Sequence, residues 1–138
     1  MAELMRFGVS MDEGLLERFD AWVDAHGWAN RSEAIRDLVR RQLVDEEWNT
    51  AAGDVIATLT YVYDHHVTDL QERLTEMQHT HHGLVLSSMH VHLDHDHCVE
   101  VLVMHGPPAD LRALADGILG AKGVKHGQLV RASMAEGL

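Results

Sequence analysis

The sequence predicts an α+β protein in two parts. A small strand–helix–helix unit occupies residues 1–47, and a βαββαβ unit of the ferredoxin-like type occupies residues 54–134. Three observations predict it. The apolar period switches from 2 to helical spacing within the first dozen or so residues. A polar stretch from Asp45 to Gly53 then breaks the pattern and reads as a linker, with Trp48 inside it. Beyond it, runs come in the order strand, helix, hairpin, helix, strand.

Residues 4–10 alternate, with Met5, Phe7 and Val9 on one face and Leu4, Arg6, Gly8 and Ser10 on the other. A helix follows, started by a capping box from Ser10 to Glu13 or by an N-cap at Asp12. Leu15, Leu16, Phe19, Trp22 and Val23 form its apolar stripe, and His26-Gly27 ends it. Asn30-Arg31-Ser32-Glu33 starts a second helix carrying Ala34, Ile35, Leu38, Val39 and Leu43. One isolated strand cannot satisfy its own backbone groups. The unit is therefore expected to be an obligate dimer whose two strands pair.

The second part begins with a strand near residues 54–63 and a helix near 68–81. The hairpin comes next. In it, His90-Val91-His92 is followed by Asp94-His95-Asp96-His97-Cys98 and then Val99-Glu100-Val101-Leu102-Val103. An H-x-H spacing on a strand sends both imidazoles to one face. The parity places Met89, Val91, Leu93, Val99, Val101 and Val103 against a core, and His90, His92, Cys98 and Glu100 on the other, non-core face. Two imidazoles and a thiolate make most of a transition-metal site. A helix after Pro107-Pro108 and a strand near 124–132 complete the order.

Composition narrows the function. A lone cysteine rules out an internal disulfide, so beside histidines it reads as a ligand or nucleophile. Nine of the 12 histidines lie between His65 and His97, which is where a metal function would concentrate. No apolar run approaches the roughly 18 residues of a membrane span and no signal-peptide pattern is present, so a soluble, cytoplasmic protein is expected, without a membrane partner. The net charge of −11, with no basic tail, argues on its own against nucleic-acid binding.

The motifs taken together answer that objection. Asn30-Arg31-Ser32-Glu33-Ala34-Ile35-Arg36-Asp37, Tyr61-Val62-Tyr63, Gln78-His79-x-His81-His82, the His90 to Glu100 cluster and Gly123-Val124-Lys125-His126-Gly127 occur in one order. In that order and spacing the chain resembles the nickel-responsive repressors with a ribbon-helix-helix DNA-binding domain (the NikR type), over nearly its whole length. The resemblance implies a dimeric ribbon-helix-helix domain that places a two-stranded ribbon in the DNA major groove. It implies a C-terminal ACT-like βαββαβ domain that builds a homotetramer. It also implies one Ni²⁺ per chain at the tetramer interface, and a palindromic operator in double-stranded DNA.

Carried over residue by residue, His90, His92 and Cys98 match the three ligands from one chain, and His79 matches the ligand from a neighbouring chain. Three imidazoles and a thiolate suit Ni²⁺ or Cu²⁺ in a plane, whereas Zn²⁺ would take a tetrahedron. Glu100 is a candidate acceptor for a ligand imidazole N–H, with Gln78 and Tyr63 as further partners behind the ligands. His65, His66, His81, His82, His95 and His97 read as solvated loop or helix-face histidines, some of them able to take extra metal weakly.

For DNA, Arg6, Gly8 and Ser10 match the base-reading positions of the ribbon, although Gly8 offers no side chain. Asn30, Arg31 and Ser32 open the second helix, where free N–H groups can anchor a phosphate. Val67 and Thr68 stand where relatives carry basic backbone contacts and are uncharged, so that role is not carried over. Glu33 and Asp37 match a carboxylate pair that holds a second, weakly bound cation; without the resemblance they are a solvated acidic face. Three alternatives stand beside a nickel regulator. The first is a regulator or buffer for copper, cobalt or zinc. The second is an ACT-type small-molecule sensor. The third, a metalloenzyme, is disfavoured because four protein ligands close the site and no separate general base is present.

Overall fold

In the computed structural model, residues 2–50, 53–67, 69–81 and 83–134 are described; Thr68 and His82 lie outside the described residues. The chain divides into two compact units, residues 1–41 and 42–138.

In the first unit, α1 spans Glu13–Ala25 and α2 starts at Arg31. Asp12, not Ser10, caps α1: its side chain accepts from the Leu15 N–H at 3.0 Å. Gly27 follows α1 at φ 77°, a conformation that glycine adopts without penalty. Asn30 caps α2, its Oδ1 accepting from the Glu33 N–H at 2.9 Å. Val23 and Ala34 are buried, while Leu15, Leu38 and Val39 stay exposed. The strand expected over residues 4–10 is not formed; residues 2–12 have no helix or strand and are exposed throughout. The physical reason is the one that predicted a dimer. A single chain offers that segment nothing to pair with, and Phe7 is left 77% exposed.

The expected linker is also different. α2 continues through Asp45, Glu46 and Glu47 to Thr50. These residues, with Arg40, Arg41 and Gln42 before them, lose little by being helical, and polarity does not by itself end a helix. Trp48 is buried, donates its indole N–H to the Ala132 carbonyl at 2.9 Å, and carries the Arg112 guanidinium 5.6 Å from its ring centroid.

The second unit is a four-stranded antiparallel sheet with two helices. Its elements are β1 (Val55–Asp64), α3 (Leu70–Thr80), β2 (Val85–His92), β3 (His97–Gly106), α4 (Pro108–Leu119) and β4 (Val124–Ala132). The strand order is β2-β3-β1-β4, the ferredoxin-like order expected from βαββαβ. Leu59, Tyr61, Tyr63, Leu102 and Met104 from the sheet pack with Leu70, Leu74, Leu111, Leu114 and Ile118 from the helices. Gly127 permits close packing on β4: a Cβ there would meet the Thr60 carbonyl and the Tyr61 Cβ, each at 2.8 Å.

The two sheet faces are the reverse of those read from the sequence. Cys98, Glu100, Leu102 and Met104 point to the buried, helix-covered side. Val99, Val101 and Val103 are half-buried on the other side, and Met89, Val91 and Leu93 are exposed. The helices cover one face only, and Leu102 and Met104 extend the parity of Cys98 into the core. Because both faces are apolar, alternation alone could not say which one the helices cover.

Candidate metal centre

The register of the hairpin builds the site. His92 pairs with Cys98 and His90 with Glu100, so the four side chains share one face. β2 is an edge strand, which leaves His90 and His92 exposed while Cys98, on the inner strand β3, is fully buried. The Cys98 Sγ lies 3.3 Å from His92 Nδ1. Burial pushes the Cys98 thiol above its ordinary value; a Tyr63 hydrogen bond opposes this, and the Asp94 and Glu100 carboxylates add to it. A coordinated divalent cation would reverse that balance and favour the thiolate.

His90 is oriented from behind. Its Nδ1 lies 3.1 Å from the Tyr63 hydroxyl and 3.4 Å from Glu100 Oε2. A proton on Nδ1 donated to the carboxylate leaves Nε2 as the lone-pair atom. Gln78 Nε2 donates to the other Glu100 oxygen at 2.8 Å and to the Tyr61 hydroxyl at 3.2 Å. Glu100, Gln78 and Tyr63, the three partners expected behind the ligands, therefore form one connected set. The Tyr63 phenol is pushed up to about 12, by burial first, then by the nearby Glu100 and Cys98 charges.

His79 is not brought to this group. It is exposed on α3, beside a surface hollow lined by Gln71, Glu72, Arg73, Thr75 and Glu76. His65, expected to be a solvated loop residue, sits in the site instead. Its Nδ1 is 3.5 Å from the Cys98 Sγ, and His65, His92 and Cys98 keep ligand atoms within 4.8 Å of one another. Tyr63 pairs with Cys98 and Asp64 with His97, so the chain leaving β1 passes the metal face. Only that inter-strand register could have revealed His65. Among the described residues, three other histidines meet backbone atoms: His26 and His81 place Nδ1 2.8 Å from the Trp22 and Met77 carbonyls, and His66 places Nε2 3.1 Å from the His95 carbonyl.

In the first unit, Arg6, Gly8 and Ser10 lie in the exposed segment before α1. Arg31 is held by Asp20 through two bonds of 2.8 Å, so its charge is already matched within the chain. Ser32 is exposed beside the cap residue Asn30. Asp37 accepts from the Trp28 indole N–H at 2.8 Å and lies 3.5 Å from Arg40, and Glu33, Asp37, Trp28, Arg36 and Arg40 line a hollow of their own in this unit. Among the described residues, Glu33 and Asp37 join no group of three ligand atoms.

Comparison with known proteins gives two family matches. The NikR C-terminal nickel-binding domain matches residues 56–132, and the ribbon-helix-helix protein family of copG type matches residues 5–46. A protein of Nitratidesulfovibrio vulgaris is 55% identical over 94% of this chain and 93% of its own length. Relatives from Geobacter sp. strain M21 and Geotalea uraniireducens are each 51% identical over 100% of this chain and 99% of theirs. All three are named, by inference, nickel-responsive regulators. Among solved structures, an uncharacterized protein from Thermotoga maritima shares the fold at a TM-score of 0.50 and 20% identity, covering 56% of this chain and 96% of that one.

Proposed function

This chain belongs to the family of nickel-responsive regulators that join a ribbon-helix-helix domain to a nickel-binding domain, and from that premise we propose that it is a transcriptional repressor, not an enzyme, that grips a palindromic operator when Ni²⁺ is bound. Nickel is held by His90, His92 and Cys98 of one chain and His79 of a neighbour in a homotetramer, one ion per chain. The observation that carries the reading is the meeting of Cys98 Sγ and His92 Nδ1 at 3.3 Å beside a His90 that Tyr63 and Glu100 orient. The ligand atoms that one chain gathers are those of His65, His92 and Cys98, with His90 beside them but outside that group, and a thiolate with imidazoles suits nickel. His79, exposed and apart from the other three, is available to a second chain.

Nickel supplies a bond between subunits. The residues of this chain do the rest. Glu100 and Tyr63 fix the His90 ring, and Gln78 fixes Glu100. Arg6 and Ser10 read base edges from the paired ribbon, and the N-terminus of α2 meets phosphate. Two ribbon dimers per tetramer match an inverted repeat. Metal acts by favouring arrangements in which both dimers engage DNA, so its effect is limited by its differential affinity for them.

The test mixes two variants. His79→Ala and Cys98→Ala each remove one ligand, and neither alone should show the thiolate-to-nickel charge-transfer band. Hybrid tetramers should regain part of the band and part of the nickel-dependent operator shift. A mixture no better than its components means that the fourth ligand does not come from another chain.

A further inference from the structure

We propose a second metal site, at the tip of the β2–β3 hairpin, built from His66, His95 and Asp96. His66 follows β1, while His95 and Asp96 lie in the turn between β2 and β3. His66 Nε2 and His95 Nδ1 both lie 3.1 Å from the same carboxylate oxygen, Asp96 Oδ1. The three ligand atoms are within 4.8 Å of one another. A cation about 2.1 Å from each donor spaces two donors about 3.0 Å apart at a right angle and about 3.4 Å apart at the tetrahedral angle. Those two edges fall inside that interval; His66 Nε2 also lies 3.1 Å from the His95 carbonyl, so its ring would turn from that oxygen to take the ion.

The donor chemistry fixes the class of ion. Two imidazoles and one carboxylate are the ligands of a facial site with open positions, suited to borderline divalent ions such as Ni²⁺, Co²⁺ and Zn²⁺. All three residues are exposed, so water can fill the remaining positions. Without a thiolate the site binds more weakly than one containing Cys98, and it fills second. The His65 backbone N–H donates to the Asp96 carbonyl at 3.1 Å, which ties the two segments together before any metal arrives. The site shares no ligand with His79, His90, His92 or Cys98, and adjacent residues His65 and His66 face different clusters.

Equilibrium dialysis of the full-length protein against Ni²⁺, with metal and protein counted together, tests the proposal. Wild-type protein should take one ion with a thiolate charge-transfer band and then a second without it. His66→Ala and Asp96→Asn should each lose the second ion and keep the band, which also shows that the variant is folded. Cys98→Ala should lose the band and retain the ion at the hairpin tip. Saturation of the wild type at the first ion, or a second ion unaffected by both substitutions, overturns the hairpin site. A missing band in wild-type protein would instead count against the proposed Cys98 centre.

Discussion

At the scale of single residues, the chemistry around Cys98 depends on what stands behind the proposed ligands. Glu100 is nearly buried, and one oxygen faces His90 while the other takes the Gln78 amide. Glu100→Gln removes the charge and keeps the shape. It should weaken nickel binding about 10–100-fold, the usual cost of losing such a partner, measured by competition with a chelator. The thiolate band should survive, because Cys98 is untouched. Strand parity and the family motifs singled out Glu100, Gln78 and Tyr63, and the fold brings Glu100 and Tyr63 to His90 and Gln78 to Glu100. His65 was not legible in the sequence, because its approach to Cys98 depends on how β1 registers with β3, and no local spacing encodes that.

At the scale of elements, helix positions followed from caps and periodicity, and the misreadings came from tertiary context. The polar run around Asp45 carries no continuous apolar stripe, yet it stays helical as far as Thr50 and includes a buried indole. Trp48→Ala should destabilise residues 42–138 by about 3–5 kcal/mol in thermal or denaturant unfolding, which a linker tryptophan would not do. The hairpin turn supplies a second prediction. Asp94 accepts from the Asp96 and His97 N–H groups, each at 2.8 Å, and these bonds, with the His97 ring, hold its carboxyl below its ordinary range. A lowered folded value means stabilisation that is complete above the unfolded value near 3.8 and lost as pH falls through the folded one. Asp94→Ala should therefore lower Tm at neutral pH, with the gap to wild type closing in strong acid. A gap unchanged down to the lowest pH would separate the turn's stability from this carboxylate.

At the scale of the whole molecule, the chain keeps much apolar surface uncovered. Met89, Val91 and Leu93 stand exposed beside half-buried Val99, Val101 and Val103, and Val130 is exposed on β4. A face of this kind on an otherwise polar, acidic protein suits a second copy of the same sheet. Val101→Glu places a charge there without entering the helix-covered core. If the proposed tetramer forms, this change should shift sedimentation toward smaller species and weaken nickel binding, because the His79 of one chain would lose its proposed site on the next. The sequence signalled self-association through the lone N-terminal strand. It could not assign the sheet faces, since valine and leucine fill both. The low count of basic residues carries over to binding: operator affinity should fall less steeply with salt than it does for a basic repressor.

The exposed segment before α1 also bears on how long an unassembled chain survives. Leu4, Met5, Phe7 and Val9 are open to solvent and free of secondary structure. An apolar, unstructured terminus is what cellular proteases and chaperones engage first. Pairing of the ribbon in the proposed dimer would hide that stretch, so limited proteolysis should cut an unpaired chain there before a paired one. The lifetime of a newly made chain would then depend on how soon it finds its partner.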